Sequence, residues 1–370
     1  MNYLIPVETT VRLLLIIGSY YGLVLFFYWK ANITNFDRIK ESQLLLIFFV
    51  FIHLLFAFEG GDYYHYYQKV STGRVDSYEE FYKWLAFFVG YDYLMFRTIV
   101  WGGAFLFFIL TAKRLGCDVY KVTYLLYIMY FTIFDYARAS LGMSVFFFGL
   151  SFWCMPIKHY KILSYVIIGP LIMLMAPLFH TSMYLALLVS WFVLIPINKK
   201  ILITVIVLFS ISSSIIFSIY SNTVNMIIIE NGEFSDKIAS YSDQVKEIQL
   251  FSIYEIIRKY VEYATIIFPM ILMSFKLFDK QYKGRQHTAM IRLYKVTTGI
   301  ILMAVSLLIA TDTIILFYRI LFFSIIPITI LFYYSRKEGI ITPVVFKTVV
   351  ISCILNVYFN YSKRIMSGNI

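Results

Sequence analysis

At 370 residues the chain has the length of two or three soluble domains, yet 61% of it is hydrophobic and 14% charged, with a mean hydropathy of +0.77. A soluble domain is about half apolar and about a quarter charged, so the composition excludes a soluble fold and points to an all-α, polytopic membrane protein. The net charge of +11 fits the excess of Lys and Arg that such proteins keep in cytoplasmic loops, and it implies no nucleic-acid partner.

A pass with its loop takes about 30 residues, which leaves room for about twelve transmembrane helices in a single transmembrane domain over residues 1–370. The first apolar run, 13–29, follows Arg12 and lacks a small-residue cleavage site, so it reads as a retained helix and not a removed signal peptide. Further spans are expected at 44–58, 93–112, 122–134, 139–155, 162–178, 182–197, 201–220, 261–277, 296–310, 314–333 and 343–359. No internal repeat is visible, which weighs against a transporter built from duplicated halves. Cys117, Cys154 and Cys353 are far apart and lack CxxC spacing, so neither a disulfide framework nor a metal site is implied.

One set of alternate connections is basic, with Lys113, Arg114 and Lys121, then Lys199 and Lys200, then Arg285, Arg292 and Lys295, then Arg336 and Lys337. The two long segments of the other set, 59–92 and 220–259, lean acidic. The positive-inside rule therefore places the N-terminus and both long loops outside the cytoplasmic membrane. Within the first loop, residues 78–90 are apolar but too short to span. With Glu79, Glu80 and Lys83 on one side, they are expected to form a helix lying in the outer interface.

A charge at a helix centre costs roughly 2.5–3.5 kcal/mol on insertion scales, so each exception needs a reason. Arg138 sits at the turn into the fifth span with Asp135 three residues earlier, a spacing that permits a local ion pair; the alternative is a cation aimed at an anionic group. Arg319 lies inside a late span and must find an anion, carbonyls or water. Arg97 begins the third span, where it can snorkel. His180 follows Pro177 at a break between spans, where a structural role is the plainer reading. The densest polar cluster runs from Glu59 to Tyr67; if it is helical from Asp62, then Asp62, His65 and Tyr66 share a face. A carboxylate beside an imidazole is a usable acid–base pair, although an interfacial turn with belt tyrosines explains the same residues. In this topology Asp62, His65, Arg138, His180 and Arg319 all lie near the outer face. Arginines grouped there suit phosphate or diphosphate.

The glycine, Asp and tyrosines after the second span (Gly61, Asp62, Tyr63), Tyr136-Ala-Arg-Ala-Ser-Leu-Gly142, the His180-Thr-Ser182 break and Phe317-Tyr-Arg-Ile320 occur in an order that resembles the EpsG-like branch of the Wzy-type bacterial polysaccharide polymerases. Ala139 stands where the resemblance calls for a polar residue. The resemblance implies a metal-independent membrane glycosyltransferase, needing no cofactor, in the bacterial cytoplasmic membrane. It would join undecaprenyl-diphosphate-linked repeat units of O-antigen, capsule or exopolysaccharide at the outer face. Its partners would be the lipid-linked donor and acceptor, with a chain-length regulator and a flippase as further candidates. Arg138 and Arg319 would hold the departing diphosphate, with Tyr63, Tyr66 and Arg97 as further substrate contacts. Asp62 or His180, with His65 in reserve, would take the acceptor proton. The competing readings are a flippase for lipid-linked oligosaccharide, an O-antigen ligase using the 220–259 loop, and an acyltransferase relying on His53.

Overall fold

A computed structural model describes residues 18, 20–22, 61–130, 137–155, 162–194, 265–274, 276–279, 282–311 and 320–367, with the backbone alone at 61–65, 137, 306–311 and 358–367. The described residues contain helices and no strand. In chain order the helices are α1 (Gly61–Ser71), α2 (Glu80–Phe88), α3 (Tyr93–Arg114), α4 (Val119–Met129), α5 (Ala137–Cys154), α6 (Gly169–Phe179), α7 (Met183–Ser190), α8 (Thr265–Ser274), α9 (Arg285–Thr311), α10 (Ile325–Lys337) and α11 (Pro343–Ser367). Among the described residues, three stretches are long and apolar enough to cross a membrane: Tyr93–Arg114, Arg285–Val305 and Ile320–Lys337. The expected passes at 44–58 and 201–220, and most of 13–29, lie outside the described residues.

Local chemistry sets the element boundaries. The Asp92 carboxylate accepts from Leu94 N at 2.8 Å and Met95 N at 3.1 Å, which starts α3, and Asp118 starts α4 in the same way. Such a cap contributes about 1 kcal/mol by answering amides that a helix start leaves unpaired. The end of α2 is more costly, because Gly90 and Tyr91 both sit at φ 62°. The left-handed region is free for glycine and costs roughly 1–2 kcal/mol for tyrosine. In return Tyr91 N reaches back to Ala86 O at 2.8 Å, closing the helix end.

Several sequence boundaries move. The helix expected at 296–310 begins eleven residues earlier, so Arg285, Arg292 and Lys295 belong to the first turns of α9 and not to a loop. Arg292 shows the reason for its part: its Nη1 donates to the Trp153 carbonyl at 3.1 Å and to those of Cys154 and Met155 at 3.4 Å, capping α5. The span expected at 162–178 carries a π turn over Ser164–Ile168 before α6, and the one at 182–197 is α-helical only to Ser190. The last helix runs on to Ser367, beyond the expected 359.

The core is organised around α5, which packs most extensively against α3 and α6. Its contact with α6 is backbone to backbone. A Cβ on Gly149 would stand 2.7 Å from Met173 N and 2.8 Å from Gly169 O, and one on Gly169 would stand 2.9 Å from Phe152 Cβ. Small residues at such crossings let helices approach closely where lipid supplies no hydrophobic drive. Helix α10 is buried on every side from Ile325 to Ser335, as expected of an apolar helix in the middle of a bundle.

These contacts define two ends. Helix α5 starts beside the α1–α2 segment, through Arg138, and finishes beside Arg114, whose guanidinium lies 3.5 Å from the Phe152 ring centre. The chain returns along α6, so that Phe179 meets Phe81 of α2 with ring centres 4.5 Å apart. At the opposite end Gln286 donates to the carbonyls of Leu115 and Gly116, and Lys337 to Gln286 Oε1.

Candidate functional site: an arginine held between a carboxylate and three tyrosines

Arg138 lies in the first turn of α5 and is half-buried under α1 and α2. Its Nη1 contacts Glu79 Oε2 at 2.7 Å, and its Nε donates to the Tyr66 hydroxyl at 3.0 Å. The guanidinium carbon stands 4.6 Å from the ring centre of Tyr78, 5.1 Å from that of Tyr66 and 6.0 Å from that of Tyr82. Aromatic faces attract a cation by about 0.5–2 kcal/mol each, more as water is removed. The Tyr82 hydroxyl also donates to the Arg138 carbonyl at 3.1 Å. Helix α2 therefore grips both the backbone and the side chain of this one residue. Tyr82 is fully buried, and that burial pushes its phenol well above the ordinary value. It stays a neutral donor.

This arrangement gives the Arg138 charge a partner other than the neighbouring Asp135, which lies outside the described residues. The carboxylate that answers it is 59 residues away in sequence. The expectation that Glu79, Glu80 and Lys83 form one polar side of the 78–90 helix holds only in part. Glu80 and Lys83 pair with each other at 2.6 Å on the exposed side. Glu79 precedes the first helical residue with an extended backbone (φ −59°, ψ 148°), so its side chain leaves the helix surface and crosses to α5.

The π and hydroxyl partners come from the tyrosine-rich segment. Residues 61–71 are helical, as the shared-face reading of Asp62, His65 and Tyr66 requires. Tyr66 is the member whose side chain is described, and it meets Arg138. For Asp62, Tyr63 and His65 the structure fixes the helical backbone and no side chain. Arg97 is buried in α3 and engaged within the fold, so it does not snorkel to water as expected. Burial removes the exposed position that snorkelling needs.

His180 closes α6 with an extended backbone (φ −161°, ψ 116°), and its Nδ1 accepts from Ser182 N at 3.3 Å. The ring lies 6.1 Å from that of Phe323. A Cβ on Gly142 would stand 3.1 Å from His180 Cβ. Gly142 is one turn along α5 from Arg138, on the same helical side. Tyr66, Arg138 and His180 thus occupy one end of the bundle, together with Glu79, Tyr78 and Tyr82. Arg319 lies outside the described residues, four positions before the Phe323 that His180 touches.

Sequence reasoning missed Glu79, Tyr78 and Tyr82 as parts of this site. One signal was available: a half-buried arginine needs an anion, and Glu79 is flanked by tyrosines one residue before and three after. Among the described residues no group of three or more His, Cys, Asp and Glu side chains comes together. Burial pushes the Cys117 thiol, at the opposite end, up to about 12.

A helical membrane protein with an oriented arginine at one end of its bundle is the class that fold and site define. The family model described as EpsG matches residues 42–369, nearly the whole chain, and the protein belongs to this family of Wzy-like polysaccharide polymerases. No curated protein and no solved structure matches it.

Proposed function

We propose that the protein joins undecaprenyl-diphosphate-linked oligosaccharide repeat units into an O-antigen, capsular or exopolysaccharide chain, at the outer face of the bacterial cytoplasmic membrane. Family membership supports polymerase chemistry. The observation that carries the site is Arg138: a guanidinium oriented by Tyr66 and Glu79 in the first turn of α5. The unpaired amides of a helix start already favour an anion. Two of the five guanidinium N–H groups are used, so three have no partner among the described residues.

In the step proposed, a hydroxyl oxygen of the acceptor unit attacks the anomeric carbon of the donor glycan. A new C–O bond forms, the bond to the diphosphate breaks, and its electron pair leaves on undecaprenyl diphosphate. Arg138 and Arg319 stabilise that developing charge, so neither metal nor nucleotide is required. The hydroxyl proton passes to Asp62 or His180, with His65 in reserve. Tyr63 and Tyr66 complete the substrate contacts, whereas Arg97, buried and engaged within α3's surroundings, is not assigned one. Trp84, Phe87 and Phe88 are exposed on α2, next to Leu94 and Met95 on the exposed flank of α3. These exposed apolar side chains support α2 lying in the outer interface, where a lipid-linked substrate arrives.

The test is the surface-glycan ladder of the native host with and without the gene. Loss of polymer while single repeats still reach the surface is expected. Loss of single repeats as well, with lipid-linked units trapped inside, indicates a flippase instead. A normal ladder from Arg138→Ala and Arg319→Ala variants removes the basis of the proposal.

A further inference from the structure

Glu79 occupies the N-cap position of α2, where Ser, Thr, Asp or Asn would hydrogen-bond the first helical amides. It makes no such bond. Its carboxylate instead reaches Arg138 at 2.7 Å, and both side chains are largely shielded from water. The helix forgoes that cap and places the carboxylate on a guanidinium that α5 would itself disfavour. A cation in the first turn of a helix opposes the macrodipole.

The geometry fixes more than charge. Arg138 Nε is tied to Tyr66, Nη1 to Glu79 and the main-chain carbonyl to Tyr82, with Tyr78 against the guanidinium face. Glu79 and Tyr82 lie three residues apart on one helical element, so a shift of α2 moves both anchors together. Phe81 on Phe179 ties that element to the end of α6, adjacent to His180. With Nε and one Nη1 hydrogen occupied, three N–H groups remain, one on Nη1 and two on Nη2, and these can donate to oxygens of an anion.

We propose that Glu79 is a positioning residue: its carboxylate sets the rotation of the Arg138 guanidinium so that its unused N–H groups face the diphosphate of the lipid-linked donor. The assignment rests on the reading of Arg138 as the diphosphate-holding group. Glu79 neither takes the acceptor proton nor touches substrate in this role. It acts through Arg138.

The experiment uses full-length protein in membranes of the deletion strain, with lipid-linked repeat units extracted from that strain as the probe, and initial rates measured over a range of probe concentration. Misplacing a reacting group by about 1 Å costs about 10²-fold in rate. Glu79→Ala is therefore expected to lower kcat by about 30- to 100-fold at an unchanged amount of membrane-inserted protein. Glu79→Gln, whose amide oxygen can still accept from Nη1, should stay within about fivefold of wild type, whereas Glu79→Asp, one methylene too short, should resemble the alanine variant. Adding Glu79→Ala to Arg138→Ala should cost nothing more, because the group to be positioned is gone.

A purely structural ion pair would lower protein amount or melting temperature in all three Glu79 variants alike, and that result overturns the proposal. Equal rates for Glu79→Gln and Glu79→Asp at equal protein amount also overturn it, and this comparison decides the matter even where the alanine variant fails to insert. Full activity of Glu79→Ala beside an inactive Arg138→Ala rejects the positioning role and leaves the diphosphate reading standing. Full activity of Arg138→Ala rejects the reading beneath both.

Discussion

The two ends of α5 each hold an arginine, and they satisfy it in opposite ways. At its last turn Arg292 donates to the carbonyls of residues 153–155, where the negative end of the helix macrodipole welcomes a cation. At its first turn Arg138 sits against the dipole and is held only because a carboxylate and three tyrosines converge from a distant segment. Carbonyl oxygens of a helix end are fixed acceptors that belong to the fold, so Arg292 reads as a cap. A carboxylate and phenol can orient a guanidinium and still leave it donors to offer. The same side chain therefore does structural work at one end of the helix and keeps unused donors at the other.

The sharpest way to break this contrast is to truncate both arginines. Arg138→Ala should abolish polymer, a loss of at least about 100-fold if it stabilises leaving-group charge, while the amount of protein in the membrane stays near normal. Arg292→Ala should do the reverse, lowering stability by about 1–2 kcal/mol while each surviving molecule still polymerises. Glycan ladders normalised to protein amount separate the two outcomes, and matching behaviour would show that the ends are equivalent.

A smaller effect comes from the helix contact between those ends. Gly149→Ala forces a methyl group to within 2.8 Å of backbone atoms of α6, an overpacking cost of about 1–3 kcal/mol. Melting of the purified protein should fall, with the residual activity per folded molecule unchanged. Gly142→Ala is milder in packing, since its nearest neighbours are side-chain atoms of His180 and Met183 at 3.1 and 3.2 Å. It should nevertheless lower the rate several-fold, roughly the effect of 1 kcal/mol, because it shifts His180 and not the bundle. A normal rate for Gly142→Ala would argue that the position of His180 is not critical.

The slightest change is expected at the end remote from Arg138. Cys117 is buried and its thiol is pushed up to about 12, so near pH 8 the reactive thiolate is scarce. Maleimide should label it in detergent-denatured protein and not in native membranes. Rapid labelling of native protein would show that this end opens.

Much of this protein was determined by sequence alone. Composition required a helical fold with lipid as solvent, because apolar residues are too many for any soluble core. Apolar runs located α3 and α5 closely, since a spanning segment must be both apolar and about 20 residues long. The family was readable from short motifs in order, and Arg138 and Tyr66 could be marked as candidates because a charge in an apolar setting is costly enough to need a reason. Boundaries at basic helix starts were not readable in this way: Arg285, Arg292 and Lys295 look like loop residues until α5 supplies carbonyls for Arg292 to cap. Nor could sequence name the partner of Arg138. Asp135, three residues away, was the natural local choice, whereas Glu79 is found only when α2 folds across the start of α5. Pairing across 59 residues depends on where helices cross, and periodicity along one helix carries no information about that. Tertiary structure alone decided which carboxylate meets the arginine, and with it which of the guanidinium nitrogens are already engaged.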